Sequence, residues 1–240
     1  MFDLPTTIPN QSCKVLAIVP HPDDETLGCG GLIAMLARQQ SQFYFVFVTD
    51  GGASHPRSVA WPSRRLARRR KAEAIEALHR LGVGDASRRF LKLADAAMPE
   101  PHSVEWNAAV SELVDIVKKF QPDLALLPWR RDPHCDHRNS WQLAQTAFQR
   151  ACTRPVVLEY AIWLDEFGTP EDQPRPEEAL RVVYDVSSVL AAKQAAIAAH
   201  VSQTTSLIDD DPTGFRLTPE TLARLVRPTE TFWWARDATD

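Results

Sequence analysis

Four short apolar runs constrain this chain more than any other feature: VLAIV (15–19), FYFVFV (43–48), RFLKL (89–93) and LALLP (124–128). None alternates polar with apolar residues. A strand with one face in water does alternate, whereas a strand covered on both faces reads as a continuous apolar run. Helical patterns fall between them, at 26–40, 63–81, 104–120 and 138–151, and QPD (121–123) ends the third just before a strand. Strand–helix alternation at this spacing predicts βαβ units, hence an α/β fold with a mostly parallel sheet and helices on both faces. The second half is less regular. VVLEYAIW (156–163) and LRVVYDV (180–186) read as strands, followed by helices near 188–201 and 218–226 and a last strand, TETFWWA. Two loops rich in proline and acids, 166–178 and 205–214, interrupt it. No repeat or low-complexity linker divides the chain, so one domain is expected over residues 1–240.

Composition narrows the function classes. With 240 residues, 44% of them hydrophobic and 24% charged, the chain can bury a sizeable core. A net charge of −4 offers no overall basic field for nucleic acid or an anionic membrane. No apolar run reaches the roughly 18–20 residues that span a bilayer. The first twelve residues, MFDLPTTIPNQS, lack the basic-then-apolar layout of a secretory leader. Cys13, Cys29, Cys135 and Cys152 are scattered, with no CxxC pair, which fits reduced thiols. A cytoplasmic protein without stable membrane insertion is the expectation, and homo-oligomerisation is left open.

The chemistry-bearing residues gather where strands end. Open α/β sheets bind ligands outside the carboxyl ends of their strands. Five of the nine glycines, Gly28, Gly30, Gly31, Gly51 and Gly52, follow the first two expected strands. GCGG is not GxGxxG, and acids stand where a pyrophosphate would sit, so a dinucleotide site is not indicated. Instead His21, Asp23, Asp24 and Glu25 follow the first strand, and His134, Asp136 and His137 follow the fourth. Either group alone has an ordinary explanation, as acids at a helix N-terminus or as hydrogen bonding within a loop. Two such groups at strand ends of one parallel sheet can converge. Two histidines and an aspartate with an open position suit catalytic zinc, and a further acid beside the metal supplies a base for water. No GxSxG elbow offers a serine nucleophile instead.

PHPDDETLGCGG (20–31) resembles the (A/P)HPDDE signature of the LmbE/PIG-L family of zinc-dependent de-N-acetylases, and HCDH (134–137) resembles its HxDH motif. The likeness continues through VTDGGASHP (48–56), RKAEAIEALHRLGV (70–83), KQAAIAAHVSQ (193–203) and ETFWW (230–234). It implies a Rossmann-like sheet and one zinc ion, or another divalent metal, per chain. It implies that His21, Asp24 and His137 are metal ligands and that Asp23 is the general base. It further implies that His134 stabilises the oxyanion or protonates the leaving amine, and that Asp136 orients a histidine. Cys135 fills a variable place, often proline, and Glu25 is expected to support the loop. The implied substrate is a small N-acetylated sugar or glycoconjugate containing N-acetylglucosamine. The alternatives are a zinc amidase for a larger acyl group, or a non-catalytic metal- or sugar-binding protein.

Loops at 95–103, 165–178 and 203–217 are expected to set the substrate. Trp61, Trp129 and Trp163 are candidate sugar-stacking faces, although packing is the commoner role for each. Asp95 falls where relatives carry an aspartate near the sugar, here followed by alanine instead of glycine. In SRRLARRRK (63–71), a helical wheel spreads Arg64, Arg65, Arg68 and Arg69 over a polar arc but sets Arg70 beside the apolar one. Arg70 also matches the family's RxxE pattern, which lies near substrate.

Overall fold

The computed structural model describes residues 12–235, so the leader reading of residues 1–12 rests, save for Ser12, outside the described residues. Seven strands form one sheet: β1 (Lys14–Val19), β2 (Gln42–Thr49), β3 (Ser87–Leu93), β4 (Leu124–Pro128), β5 (Val156–Tyr160), β6 (Ala179–Asp185) and β7 (Thr229–Ala235). The helices are α1 (Asp24–Leu27), α2 (Gly30–Arg38), α3 (Ser63–Arg80), α4 (Val104–Phe120), α5 (Cys135–Ala151), α6 (Leu164–Phe167), α7 (Leu190–Ile197), α8 (Val201–Thr204) and α9 (Pro219–Leu225). The spatial order is β3-β2-β1-β4-β5-β7-β6, with β1 to β5 parallel and β7 antiparallel to both of its neighbours. The expected mostly parallel α/β sheet is what forms.

Burial on both faces explains the unbroken apolar runs of β1, β2 and β4. In contrast β3, also expected to be covered on both faces, is an edge strand with no fully buried residue. In β1, Val15, Ala17 and Val19 enter one core while Leu16 and Ile18 enter the other, and all five are fully buried. Leu32 and Ile33 of α2, Leu78 of α3 and Ile197 of α7 cover the first face. Trp106 and Leu113 of α4 and Leu143 and Phe148 of α5 cover the second. Each side chain of this size contributes about 1.5–3 kcal/mol when fully buried.

Topology sets the functional edge. The sheet runs outward from β1 through β2 to β3 on one side, and from β4 to β5 on the other. At that reversal the loops leaving β1 and β4 diverge and open a crevice between two adjacent strands. His21 to Glu25 and Arg131 to His137 leave from this crevice.

Four boundaries differ from the sequence reading. The helix expected over 26–40 is broken into α1 and α2 at Cys29, whose φ of −143° and ψ of 16° leave the helical region, and the Tyr160 ring packs against the neighbouring Gly28. A β-carbon there would stand 2.2 Å from that ring. The strand expected over 156–163 stops at Tyr160, since the Ile162 and Trp163 N–H groups donate to Asp132 Oδ2 rather than to a neighbouring strand. The helix expected over 188–201 ends at Ile197, and the chain turns at His200, whose ring meets Glu25. Helix α5 begins at Cys135, not 138, because His134 caps it by accepting the Asp136 N–H. No helix among the described residues is long and apolar enough to cross a membrane, and all four cysteines are free.

Candidate metal and catalytic site

Asp24 is the centre on which the two strand-end groups meet. Its Oδ2 lies 3.2 Å from His21 Nδ1 and 3.2 Å from His137 Nε2, and it also accepts the His21 backbone N–H at 2.9 Å. The far side of each imidazole faces a carboxylate. His21 Nε2 is 3.0 Å from Asp136 Oδ2 and 3.2 Å from Asp95 Oδ1, and His137 Nδ1 is 3.4 Å from Asp132 Oδ1. Both nitrogens of His137 are buried without a well-aligned hydrogen bond. Such an orphaned imidazole is costly unless something else satisfies it. Nitrogen atoms of His21, His134 and His137 all lie within 4.8 Å of one another.

The electrostatics favour a cation here. Burial pushes the His21 pKa down, but Asp136, Asp24 and Asp95 outweigh it and hold His21 well above the usual histidine range. His137 is raised to about 9 against its burial, chiefly by Asp24 and Asp132. Burial pushes Asp24 up, yet His137 and His21 hold it well below the ordinary carboxylate range. The pocket therefore draws protons onto two metal-type nitrogens, and a divalent cation competes for the same electron pairs. Two imidazoles and one carboxylate, each imidazole backed by a second carboxylate, are a donor set that fits zinc.

Asp23 stands beside this centre in a strained backbone, with φ 146°. That region is nearly closed to residues with a β-carbon and costs on the order of 1–3 kcal/mol, a kind of strain concentrated at functional sites. Surrounding bonds hold it: Glu25 Oε2 accepts the Asp23 N–H at 2.9 Å, and the Asp23 carbonyl accepts from Thr26 Oγ1 at 2.8 Å. Arg70 Nη2 pairs with Asp23 Oδ2 at 3.0 Å. Burial raises the Asp23 carboxyl to about 6, with Arg70 pulling the other way. His134 is lowered to about 4, first by burial and then by the neighbouring His21 and His137.

A cavity of about 630 Å³ opens on these groups. Of the expected residues, His21, Asp23, Asp24, Arg70, Asp95 and His134 line it. His137 and Asp136 sit behind, fully buried. Arg70 is buried as the wheel indicated, but its terminal nitrogens are engaged by Asp23, by Pro22 O at 2.9 Å and by Gly51 O at 3.0 Å. Gly51 has φ 65°, and a β-carbon there would come within 2.9 Å of Arg70 Nη1. Asp95 divides its oxygens between His21 and the Ala53 N–H. All three loops expected to set the substrate reach the cavity, through Asp95 and Ala96, Phe167, and Thr213 and Phe215. Of the tryptophans, Trp163 lines it, Trp61 does not, and Trp129 is wholly buried, its indole N–H given to Asp172 O. A sugar-stacking role for Trp129 is thereby excluded.

Two residues escaped the sequence reading. Asp132 is fully buried and gathers the His134, Ile162 and Trp163 N–H groups beside His137. Its signal was an acid two positions before HxDH. His200 Nε2 lies 3.0 Å from Glu25 Oε1, so it backs the carboxylate that holds the strained Asp23. Its trace was a lone histidine within KQAAIAAHVSQ (193–203), a stretch of the family likeness.

A family model described as PIG-L, GlcNAc-PI de-N-acetylase, matches residues 16–148, more than half of the chain and both strand-end groups. The chain belongs to the PIG-L family. The expected enzyme class, an amide hydrolase, is that of this PIG-L chain's relatives. It is 31% identical over 137 residues to the diacetylchitobiose deacetylase of Thermococcus kodakarensis, covering 55% of this chain and 47% of that protein, so that match spans about half of the relative. It is 27% identical over 240 aligned positions to the 1D-myo-inositol 2-acetamido-2-deoxy-alpha-D-glucopyranoside deacetylase of Mycobacteroides abscessus, covering 85% of each. Among solved structures, the A40926 pseudoaglycone deacetylase Dbv21 superposes with a TM-score of 0.70 at 19% identity, over 96% of this chain and all of the other. The 4-carboxy-2-hydroxymuconate hydratase GalB of Pseudomonas putida does so at 0.68 and 20%, over 95% and 98%. These two likenesses concern the fold alone, and one fold here carries two chemistries.

Proposed function

We propose that this PIG-L chain acts as one domain and as a zinc-dependent hydrolase. Its reaction removes the N-acetyl group from a glycan or glycoconjugate containing N-acetylglucosamine. The observation that carries the reading is Asp24 Oδ2 at 3.2 Å from both His21 Nδ1 and His137 Nε2, with the strained, buried Asp23 next to it. The named activities of the two curated relatives supply the substrate class. The four free thiols support a cytoplasmic setting.

His21, Asp24 and His137 would hold the ion. Zinc so held supplies Lewis acidity, which lowers the pKa of a water from about 15.7 to about 7. The protein's own residues divide the remaining work. Asp23 accepts a proton from the attacking water and passes it on, a role that typically contributes about 10²–10⁴-fold. Arg70 fixes the Asp23 carboxylate. His134 Nδ1 accepts the Asp136 N–H, so the neutral ring carries its proton on Nε2, a hydrogen-bond donor for the developing oxyanion, while the departing amine takes the proton that Asp23 removed from the water. Asp136 and Asp132 orient His21 and His137. No covalent nucleophile is needed.

Stripping the protein with a chelator and refilling it with zinc tests this directly. The refilled protein should release acetate and primary amine in equal amounts from N-acetylglucosaminides. His21→Ala, Asp24→Ala and His137→Ala should each lose stoichiometric zinc and turnover. Near-stoichiometric zinc in all three variants would sink the ligand assignment. Amine released without acetate would shift the reading to an amidase of larger acyl groups. A zinc-filled protein that binds these sugars without cleaving them would make it a binding protein.

A further inference from the structure

Three aromatic side chains stand on the solvent side of the cavity. Trp163 follows β5, Phe167 ends α6, and Phe215 comes from the loop between α8 and α9. The Trp163 ring lies 5.7 Å from Phe167 and 5.6 Å from Phe215, tilted to the first and edge-on to the second. Phe167 is 62% exposed and Phe215 39%, while His21, Asp23 and Asp24 are buried. Large exposed aromatic rings grouped beside a cavity mark a ligand surface more often than scattered ones do. They are also held in place. The Trp163 backbone N–H donates to Asp132, which supports His134 and His137, and the Phe215 backbone N–H donates to Ser54 O at 2.7 Å.

Charge narrows what they can receive. Arg70 is the single Lys or Arg among the described residues lining the cavity, and its terminal nitrogens are already taken by Asp23, Pro22 and Gly51. Asp23, Asp24 and Asp95 put carboxylates there. Beside the three aromatic rings no lysine or arginine among the described residues lines the cavity, so an anionic group there would find no guanidinium or ammonium to pair with. The acyl carbonyl must reach the buried histidine and carboxylate end, so what meets the aromatic side lies beyond the sugar ring. About 630 Å³ falls in the range of roughly 300–1,000 Å³ that takes ligands of drug size.

We propose that Trp163, Phe167 and Phe215 form an aglycone subsite, and that the preferred substrate is an N-acetylglucosaminide whose neutral aglycone presents an aromatic face. This rests on the de-N-acetylase reading. The test compares phenyl, methyl and carboxymethyl N-acetylglucosaminides, in both anomers, on the zinc-loaded chain. The phenyl compound should exceed the methyl one about tenfold in kcat/KM, mostly through KM, and the carboxymethyl one should fall below methyl. In the Phe167→Ser, Phe215→Ser double variant the phenyl-to-methyl ratio should drop to about twofold or less. A wild-type ratio near one, a preference for carboxymethyl, or a ratio that survives the double variant would overturn the subsite while deacetylation stands. If none of the three releases amine, the de-N-acetylase reading falls. Calorimetric binding of phenyl against methyl glucosaminide then decides the subsite by itself. Tighter phenyl binding that the double variant loses upholds it, and equal binding overturns it.

Discussion

Two buried charged clusters lie on either side of α1 and α2, and they are built on opposite terms. In one, Glu230 accepts the Gly31 and Leu32 N–H groups at 2.7 and 2.8 Å, and Lys193 Nζ donates to Glu230 at 2.7 Å and to Leu27 O at 3.1 Å. Both side chains are buried, both carboxylate oxygens are used, and the acid sits at the positive end of α2. In the other, around Asp24, both His137 nitrogens and Arg70 Nε lack a well-aligned partner, acids crowd together, and Asp23 is strained. The first cluster is complete within the chain and holds structure. The second leaves buried nitrogens without a well-aligned partner, and it opens on the cavity. Buried polar groups alone do not separate architecture from chemistry; their degree of satisfaction does.

Substitutions can break or sharpen that contrast. The largest effect is expected at Asp23→Asn, which keeps the shape but cannot accept a proton as a carboxylate does. Turnover per folded molecule should fall about 10²–10⁴-fold with zinc retained. Turnover near wild type would mean that another group activates the water.

Lys193→Ala should do the reverse. It leaves Glu230 buried and uncompensated, costing about 3–5 kcal/mol of unfolding free energy in denaturant titration, while kcat/KM per folded, zinc-loaded molecule holds. A stable variant with impaired turnover would dissolve the contrast.

The smallest effect expected is at Arg70→Gln, which lies between the two kinds of role. Removing a buried charged hydrogen bond should lower kcat/KM by about 1.5–3 kcal/mol without loss of zinc. The direction on the pH axis follows from the opposing influences on Asp23. Burial raises its pKa and Arg70 lowers it. Without the guanidinium the pKa rises further, and since the base works ionised, the acid limb of the kcat/KM profile should move to higher pH. An unmoved limb would leave Arg70 as an anchor of α3 alone.

Legibility followed sequence distance. The convergence of His21, Asp24 and His137 was legible because each stands in a dense run of acids and histidines at the end of an apolar strand, and parallel topology brings such ends to one edge. Arg70 was legible from helical periodicity, which tells which face is buried but not which partner waits there. That partner is Asp23, 47 positions earlier. Trp163 was read as the end of a strand, because its apolar neighbours continue the pattern while Asp132 takes its N–H group out of the sheet. His200 reaches Glu25 across 175 positions, and no local pattern announces such a pairing.

The sequence by itself determined the alternation of strands and helices, the double burial of the central strands, and the gathering of metal-type side chains at their ends. These follow from periodicity and residue chemistry, which are local. Only the tertiary structure decided that Asp24 Oδ2 stands between two imidazoles, that Asp132 and His200 serve as supports, that Trp129 is core, and that Trp163, Phe167 and Phe215 share a wall. Each of those depends on distances between atoms far apart in the chain, set by how the two cores close on the sheet.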